Sequence, residues 1–520
     1  MTHARLNIGF VALTVAIGGF LLGFDATVIA GVVPYIRDYF DLAGSGGALK
    51  LGWAVSSLGW GAIVGNALVG FLSNRFGRRR VLLVTAVLFM LSALLAALAT
   101  HFAGFVLART VGGLAVGAAI LIAPVYIAEI APAGRRGSLV SLNQLMIVIG
   151  ISASFFSNDF LRTVGGNNWR WMLGVQTVPA ALYFLLLWLV PESPRWLLMK
   201  GREAEALDVL TRVGGPQQAA ESLQQIRQSL AAKSISPGIR GLLHPRMRYI
   251  MLIAFALAFF QQITGINAIF YYLPTIFMQA GGGMSDAFHQ AALVGLVNVG
   301  MTLVAIRLID RLGRKPLLTI GVTGMAVSLL TIGWAFSQAS YRLGEHSYAM
   351  AQAGGVPAEM VADLRGFGDA SFASEKEFVA ALEAKFGADR IGPHQQALAG
   401  AALSMNARLV LFAIIGFVAS FAISLGPVMW VLLSEIFPNE HRGAAISVVG
   451  FWNALVSATV TLVFPWELAA LGSAWTFLVY GIFASAALLV VILAIPETKG
   501  RTLEELETDL TSRGRQSHRQ

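Results

Sequence analysis

Twelve apolar runs, each long enough to cross a membrane as a helix, occupy most of this 520-residue sequence. An α-helix needs about 20 apolar residues to span roughly 30 Å of hydrocarbon. The predicted spans are approximately 8–33, 51–74, 80–101, 103–128, 138–163, 169–190, 247–278, 286–309, 315–336, 407–436, 443–468 and 472–495. These runs predict an all-α integral membrane protein with twelve transmembrane helices, and they argue against a large soluble enzyme.

Charged residues are scarce, and their placement predicts how the helices are oriented. They make up 12% of the chain, whereas soluble domains contain about a quarter. The basic clusters, such as Arg78–Arg80 and Arg135–Arg136, all lie on one side if the twelve spans are threaded in order. That side is expected to be the cytoplasm, with both termini on it. The net charge of +9 therefore indicates membrane orientation and not nucleic-acid binding.

Three motifs occur twice and divide the chain into halves. "NRFGRRR" (74–80) returns as "DRLGRKP" (310–316), "EIAPAGRRG" (129–137) as "EIFPNEHRG" (435–443), and "PESPR" (191–195) as "PETKGR" (496–501). Recurrence at such a long period predicts two pseudo-symmetric six-helix bundles, an arrangement that transporters use to build one site between two halves.

The spacing of the motifs predicts where the halves differ. The predicted units are a first bundle (1–190), cytoplasmic linker helices (191–246), a second bundle (247–336 and 407–495), an insertion (337–406) and a cytoplasmic tail (496–520). The insertion follows the ninth span and is expected outside the cell, as a small domain or a flexible loop. Within it, "SEKEFVAALEAKFG" (374–387) predicts a helix capped by Ser374. The linker is expected to form a helical bundle or a solvated connection.

Polar side chains interrupt the seventh apolar run in "QQITGINAIFYY" (261–272). At about 100° per residue, Gln262 and Asn267 are about 140° apart on a helix. Either the polar face is wide, or the backbone loosens near Gly265, with Pro274 as a possible second break. Amides in hydrocarbon usually face a cavity or one another. They predict binding of a hydroxyl-rich solute, and the alternative is adhesion between helices.

Further polar or aromatic candidates lie in other spans. Gln144, Asn298 and Asn453 interrupt the fifth, eighth and eleventh spans. Trp430 follows Gly426 and Pro427, which are expected to break the tenth helix and let the indole stack on a sugar face. The alternative for Trp430 is an interfacial aromatic that faces lipid.

Two opposite charges, Asp25 and Arg109, lie inside apolar runs. A buried aspartate should be neutral or paired, and Arg109 is its natural partner. A carboxyl whose charge depends on a mobile partner can bind and release a proton, which predicts proton coupling. The alternative is a static structural ion pair.

Charges at the cytoplasmic helix ends are expected to act as latches that hold the outward-open state. Carboxylates and guanidinium groups there can form bidentate pairs, and for the loop arginines alone the alternative is ordinary positive-inside charge. The predicted latch residues are Arg75, Arg78, Glu129, Arg136, Arg311, Arg314, Glu435 and Arg442.

Taken in order, "PESPRWL", "QQITGINAIFYY", "GPVMWVLLSEIFPNEHRG" and "PETKGRTLEELE" resemble the sugar porter family of the major facilitator superfamily. The resemblance implies hexose or pentose contacts at Gln144, Gln261, Gln262, Asn267, Asn298, Trp430 and Asn453. It also implies an extracellular gate at Tyr271 and Tyr272, and proton coupling through Asp25 and Arg109. Gln176 stands where the bacterial xylose symporter has a second acidic residue, so that auxiliary proton site is missing here.

The expected function is monosaccharide transport by alternating access, as sugar:proton symport across a bacterial inner membrane. The partners are the sugar, a proton and membrane lipid, with no nucleic acid, and the expected state is a monomer. Passive facilitation is one alternative, and a sugar-binding membrane sensor is another. No catalytic arrangement or metal cluster is evident, and the chain has no cysteine. No enzyme activity, cofactor or metal is therefore expected.

Overall fold

The first half forms a bundle of long helices at the predicted apolar runs. The computed structural model describes residues 6–42, 46–232, 241–242, 244, 247–353, 355–367, 370–438 and 440–500. The helices of this half are α1 (Ile8–Tyr39), α2 (Gly47–Phe76), α3 (Arg78–Leu98), α4 (Phe102–Ile130), α5 (Arg136–Leu161), α6 (Asn168–Gly174) and α7 (Thr177–Leu187). The last two follow one another closely and together form the sixth span.

Three shorter helices follow the first bundle: α8 (Pro194–Met199), α9 (Glu203–Gly214) and α10 (Pro216–Ala232). Leu197, Ala206 and Val209 of this segment are buried in the same apolar cluster as Tyr126 and Val190. The amphipathic linker helices therefore pack on the first bundle, which buries their apolar faces.

The second half begins with a seventh span in three pieces. Its helices are α11 (Arg248–Ile263), α12 (Ile266–Tyr271), α13 (Leu273–Gln279), α14 (Met284–Leu312) and α15 (Arg314–Ser337), followed after the insertion by α21 (Ala407–Ile423), α22 (Leu425–Ile436) and α23 (Arg442–Ala494). α23 bends at Gly472, where φ is 77° and ψ is 162°, and so contains both the eleventh and the twelfth span. Several helices extend past the predicted ends, and α1 reaches Tyr39 with Pro34 inside it. The twelve predicted spans and the all-α membrane fold are confirmed.

The insertion between α15 and α21 has its own core. Its helices are α16 (Glu345–Ala353), α17 (Ala358–Leu364), α18 (Glu375–Phe386), α19 (Ala388–Ile391) and α20 (Gln395–Ala402), and its strands are β1 (Ser340–Arg342), β2 (Ser371–Phe372) and β3 (Leu403–Ser404). The antiparallel sheet has the order β2-β1-β3, with Tyr341 opposite both Phe372 and Leu403. The Ser374 side chain caps α18 as predicted, accepting from the Glu377 amide at 3.2 Å. The strands were not predicted from the sequence.

The two halves meet at the end of the bundle that carries the insertion, here called the insertion end. There the Tyr35 hydroxyl donates to Met284 Sδ at 3.4 Å, and Asp159 lies 3.3 Å from His289. Deeper in the bundle, Gly295 of α14 packs against α5. The opposite end carries the arginine-rich connections and is called the basic end. The two halves are thus in contact at the insertion end.

Candidate functional site

The break in the seventh span places its polar side chains. Gly265 lies between α11 and α12 with φ at 84°, a left-handed conformation that favours glycine. A second interruption at Tyr272 separates α12 from α13, which has Pro274 near its start. Of the two arrangements that the sequence allowed, the structure has the loosened backbone. Because α11 and α12 no longer share one helical phase, Gln262 and Asn267 can reach each other.

Four amides from α11, α12 and α23 form one hydrogen-bonded group, here called the amide cluster: Gln261, Gln262, Asn267 and Asn453. Asn453 Nδ2 donates to Gln261 Oε1 at 2.8 Å, and Gln262 Nε2 donates to Asn453 Oδ1 at 3.1 Å. Asn267 Nδ2 donates to Gln262 Oε1 at 2.9 Å. Gln261, Gln262 and Asn453 are buried and Asn267 is part-buried, and the amide groups are satisfied mainly by each other.

The amide cluster is anchored by backbone carbonyls and by one hydroxyl. Gln261 Nε2 donates to the carbonyl of Leu425 at 2.7 Å, at the start of α22. Asn453 Nδ2 donates to the carbonyl of Ala258 at 3.0 Å, and Asn267 Nδ2 donates to Ser457 Oγ at 2.7 Å. Ser457, which lies one helical turn after Asn453 on α23, was not predicted from the sequence. That spacing was the available signal.

The other predicted sugar contacts lie outside this hydrogen-bonded group. Gln144 is exposed on α5, and Asn298 is buried in α14. Trp430 on α22 is 40% exposed and lies beside Gly450 of α23. The predicted break in the tenth span is present, since the helix is interrupted at Ser424, just before Gly426.

The two candidate gate tyrosines have different surroundings. Tyr272 is buried, its ring packs on Phe464 at a centroid distance of 5.2 Å, and its hydroxyl has no hydrogen-bond partner among the described residues. Tyr271 is only half-buried, and its hydroxyl lies within electrostatic range of Asp25 and Arg109 in the first half. Tyr271 therefore brings a phenol of the broken helix within electrostatic range of the charged pair of the other half.

Asp25 of α1 and Arg109 of α4 form a buried ion pair. Arg109 Nη1 donates to Asp25 Oδ1, and Arg109 Nη2 donates to the Asp25 carbonyl at 3.0 Å. Gly112 allows α4 to pack closely against α1, because a Cβ at this position would lie only 2.8 Å from Asp25 Oδ2. Neither charge could be buried without the other except at high free-energy cost.

The ion pair retains unused hydrogen-bonding groups. Asp25 Oδ2 and Arg109 Nε have no hydrogen-bond partner among the described residues. Gln176, at the start of α7, is buried, lies within interaction range of the Asp25 carboxylate, and likewise leaves its Nε2 without a partner in the described chain. One oxygen of the buried carboxylate is therefore left without a hydrogen bond, which is costly in a low-dielectric interior.

At the basic end, Arg78 and Glu129 form a bidentate pair within the first half, with distances of 2.9 and 3.0 Å. Ser193 Oγ donates to Glu129 Oε2 at 2.5 Å. Glu192 accepts from the amides of Arg78 and Arg79 at the start of α3, where a helix N-terminus favours a carboxylate.

The second half repeats this arrangement residue for residue. Arg314 pairs with Glu435 at 2.7 Å, and Thr498 Oγ1 donates to the same carboxylate at 2.6 Å. Glu497 accepts from the amides of Arg314 and Lys315 at the start of α15. The recurrence of PESPR and PETKGR is visible in the sequence, but the pairing of their carboxylates and hydroxyls with the arginine-rich segments was not predicted from it.

The surroundings of Glu497 change its acidity. Burial alone would raise the pKa of its carboxyl. Hydrogen bonds from four backbone amides outweigh burial and hold the pKa below its ordinary value of 4.5. These amides belong to Lys499, Arg314, Lys315 and Thr498.

The remaining predicted latch residues have no ion pair within the described chain. Arg75 lies over the ring of Phe76, and Arg136 is exposed. The carbonyl of Arg311 accepts from Lys499 Nζ, while Arg442 donates to the carbonyl of Phe437. Two arginine–carboxylate pairs are described at the basic end. The Arg78–Glu129 pair lies within the first half and the Arg314–Glu435 pair within the second, so neither pair joins the two halves.

Comparisons with known proteins agree with this architecture. The family model described as "Sugar (and other) transporter" matches residues 11–353 and 389–510. The chain is 34% identical to the arabinose-proton symporter of Bacillus subtilis (strain 168), covering 96% of this chain and 95% of that protein. It is 33% identical to the D-xylose-proton symporter of Escherichia coli (strain K12), covering 96% and 94%.

Solved structures of a xylose transporter also align with nearly the whole chain. The inward-open xylose transporter XylE from E. coli aligns with a TM-score of 0.73 and 31% identity, covering 96% of this chain and 99% of that one. XylE bound to 6-bromo-6-deoxy-D-glucose aligns with a TM-score of 0.69 and 32% identity, covering 97% and 99%. The chain is a multi-pass membrane protein that belongs to the sugar transporter family.

Proposed function

We propose that the chain is a monosaccharide:proton symporter that works by alternating access. The observation that carries this proposal is the broken seventh span. This span contributes three of the four amides of the amide cluster in the second half. Its Tyr271 lies within electrostatic range of the buried Asp25–Arg109 pair in the first half. Relatives named as sugar-proton symporters cover nearly the whole chain, which supports the same function.

The amide cluster is the proposed sugar site. Each amide carries both donors and acceptors, so sugar hydroxyls can replace the hydrogen bonds that Gln261, Gln262, Asn267 and Asn453 now make with each other. Exchange of one set of hydrogen bonds for another keeps the buried groups satisfied in both the empty and the loaded site. Gln144, Asn298 and the indole of Trp430 are proposed to complete the site from neighbouring spans.

The ion pair is the proposed coupling element. Protonation of Asp25 neutralises its carboxyl and weakens its attraction for Arg109, which frees α1 and α4 to move apart. Deprotonation restores the pair. Because Tyr271 is on the same short helix as Asn267 and lies within electrostatic range of this pair, sugar binding and protonation can favour the same movement of α12.

The described conformation is proposed to be inward-facing. The halves touch at the insertion end, while the Arg78–Glu129 and Arg314–Glu435 pairs at the basic end each stay within one half. By the positive-inside rule the basic end is cytoplasmic. The eight predicted latch residues would then bring the halves together at that end in the outward-facing state.

The proposed location and organisation use the same orientation. We place the protein in a bacterial inner membrane, with both termini in the cytoplasm, the insertion outside and lipid around a monomeric bundle. The units at 1–190, 191–246, 247–336 with 407–495, 337–406 and 496–520 are proposed as its structural divisions. The separate apolar core of the insertion supports its status as a domain.

Uptake into proteoliposomes tests the function. Wild type, Asp25→Asn and the control Asp38→Asn, an exposed position on the same helix, are given labelled D-xylose or D-glucose with and without an inward proton gradient. We expect gradient-driven accumulation in wild type and in the control. Asp25→Asn should lose accumulation but retain counterflow exchange.

Each other result has a distinct meaning. Equilibration without accumulation in wild type, or normal accumulation by Asp25→Asn, would replace symport through Asp25 with facilitation or with another proton carrier. Binding without flux would indicate a sensor. Absence of both binding and flux for the two sugars would remove monosaccharides as the substrate class.

A further inference from the structure

A carboxylate outside the proposed transport site lies close to the broken seventh span. Tyr480 donates its hydroxyl hydrogen to Glu467 Oε2 at 2.7 Å. The two residues lie on opposite sides of the bend at Gly472, so the hydrogen bond joins the eleventh span to the twelfth. Glu467 is part-buried, and Tyr480 is 1% exposed. A part-buried carboxylate in an otherwise apolar helix requires a partner, and Tyr480 supplies one.

The Tyr480 ring in turn packs directly against the break. A Cβ built on Gly265 would overlap the ring atoms Cδ2 and Cε2 of Tyr480. The ring therefore occupies the space that a side chain at the break would need. Since Glu467 holds the Tyr480 hydroxyl by a hydrogen bond, it also holds the Tyr480 ring in place against Gly265.

The Tyr272 hydroxyl, at the other end of α12, is buried beside this pair. Tyr272 is 1% exposed, and its hydroxyl has no hydrogen-bond partner among the described residues. Phe464 contacts the rings of both Tyr272 and Tyr480, at centroid distances of 5.2 and 6.1 Å. Tyr272 and Tyr480 also lie within electrostatic range of each other. A buried hydroxyl without a partner destabilises the conformation that contains it.

We propose that Glu467, acting through Tyr480, is a positioning residue for the gate formed by α12 and α13. In the conformation described here, Tyr480 holds the Glu467 carboxylate and the Tyr272 hydroxyl is unsatisfied. When the insertion end opens, α12 moves and the Tyr272 hydroxyl gains the second carboxylate oxygen of Glu467 as its acceptor, while Tyr480 keeps its hydrogen bond to Oε2 in both states. Glu467 thereby sets the equilibrium between the closed and open gate. This inference requires only that the gate moves, so it rests on the alternating access of the proposed function and not on the identity of the sugar or the role of Asp25.

The absence of cysteine in the sequence allows a direct test. Asn167→Cys and Ser285→Cys place spin labels at exposed positions of the two halves at the insertion end. Pulsed electron paramagnetic resonance on the full-length protein in nanodiscs then gives the ratio of closed to open populations. Tyr272→Phe removes the unsatisfied hydroxyl of the closed state and the hydrogen bond of the open state. It should raise the closed-to-open ratio about 5-fold or more.

Variants of Glu467 distinguish a role of its acceptor oxygens in setting the gate equilibrium from a role in packing alone. Glu467→Leu should also raise the ratio, and Tyr272→Phe should add little in that background, because the two changes remove the same interaction. Glu467→Gln keeps an acceptor oxygen and should stay within about 2-fold of wild type. The matched control is Tyr183→Phe, which removes another buried hydroxyl without a described partner, in the first half. It should leave the ratio unchanged.

Several results would overturn the proposal. An unchanged ratio in Tyr272→Phe would show that its hydroxyl has no preference between the two states. Full additivity of Tyr272→Phe and Glu467→Leu would show that they act independently. Glu467→Gln behaving like Glu467→Leu would remove the role of the acceptor. If the labels report one fixed distance in wild type under all conditions, alternating access itself fails at this end, which is a different outcome from a gate that moves but ignores Glu467.

Discussion

At the scale of single residues, the amide cluster shows how one hydroxyl can order a binding site. Ser457 Oγ accepts from Asn267 at 2.7 Å and holds that amide against Gln262. We expect Ser457→Ala to raise KM for the transported sugar about 2- to 10-fold with little change in kcat, since one net hydrogen bond contributes about 0.5–1.5 kcal/mol. Initial uptake rates over a range of sugar concentrations measure this effect.

The control for that variant lies on the same helix. Ser447 is exposed, and within the described part of the chain its hydroxyl donates only to the carbonyl of Gly443. Ser447→Ala should keep the wild-type KM. If Ser457→Ala also does so, the hydroxyl does not order the amides for binding.

Single polar residues were predictable where an apolar run made them conspicuous. Gln261, Gln262, Asn267 and Asn453 stand out because amides in hydrocarbon require partners. Ser457 does not, because a serine in a helix can bond to its own backbone. The partnership between Glu467 and Tyr480 was hidden for another reason: it depends on a bend at Gly472 whose geometry no local pattern specifies.

At the scale of elements, the break in the seventh span is a structural requirement of the amide cluster. Gly265→Ala would place a side chain at a φ of 84° and against the Tyr480 ring. A left-handed conformation costs a non-glycine residue about 1–2 kcal/mol before any overlap is counted. We expect a lower Tm and at least about a 10-fold loss of counterflow, because 1.4 kcal/mol corresponds to a factor of ten.

Two further variants test this explanation. Gly300→Ala in α14 adds a methyl group where no atom lies nearby and should be neutral. Tyr480→Ala removes the overlap, so Gly265→Ala should lower Tm by less in the Tyr480→Ala background than in wild type. A Gly265→Ala protein with wild-type counterflow would show that transport does not need this backbone geometry.

Elements were predictable to the extent that their signal is local. Runs of apolar residues located the twelve spans, and Ser374 with Gly387 marked both ends of α18. The three strands of the insertion have only two or three residues each. That length is too short for an alternating pattern, and their pairing depends on residues distant in sequence.

At the scale of the whole molecule, the duplicated charge groups tie the ends of distant helices together. Glu497 has a lowered pKa, so its contribution to stability is complete above its ordinary pKa of 4.5 and is lost as the pH falls through the lower folded-state value. Glu497→Gln should therefore lower Tm at pH 7. Its Tm difference from wild type should shrink as the pH falls from about 5 to about 3.

Thermal unfolding in detergent at a series of pH values measures this difference. Glu221→Gln, at an exposed position on α10, removes a carboxylate elsewhere and should match wild type throughout. A difference between Glu497→Gln and wild type that stays constant with pH would mean that the hydrogen bonds from the four amides do not depend on the charge.

The duplicated motifs predicted the two halves. They could not show which charges pair, because the two partners of each ion pair are far apart in the sequence.

The division of the chain at the insertion can be tested directly. β1 and β3 pair so that Ser340 lies opposite Ser404, and paired strands are about 5 Å apart. Replacing 341–403 by two glycines should therefore close the chain without disturbing α15 or α21. Because the insertion has a separate core, we expect the shortened protein to remain monodisperse and to retain counterflow within about 2-fold of wild type. Aggregation of this variant in size-exclusion chromatography would show that the second bundle needs the insertion to fold, whereas a folded variant without counterflow would assign the insertion a part in the transport cycle.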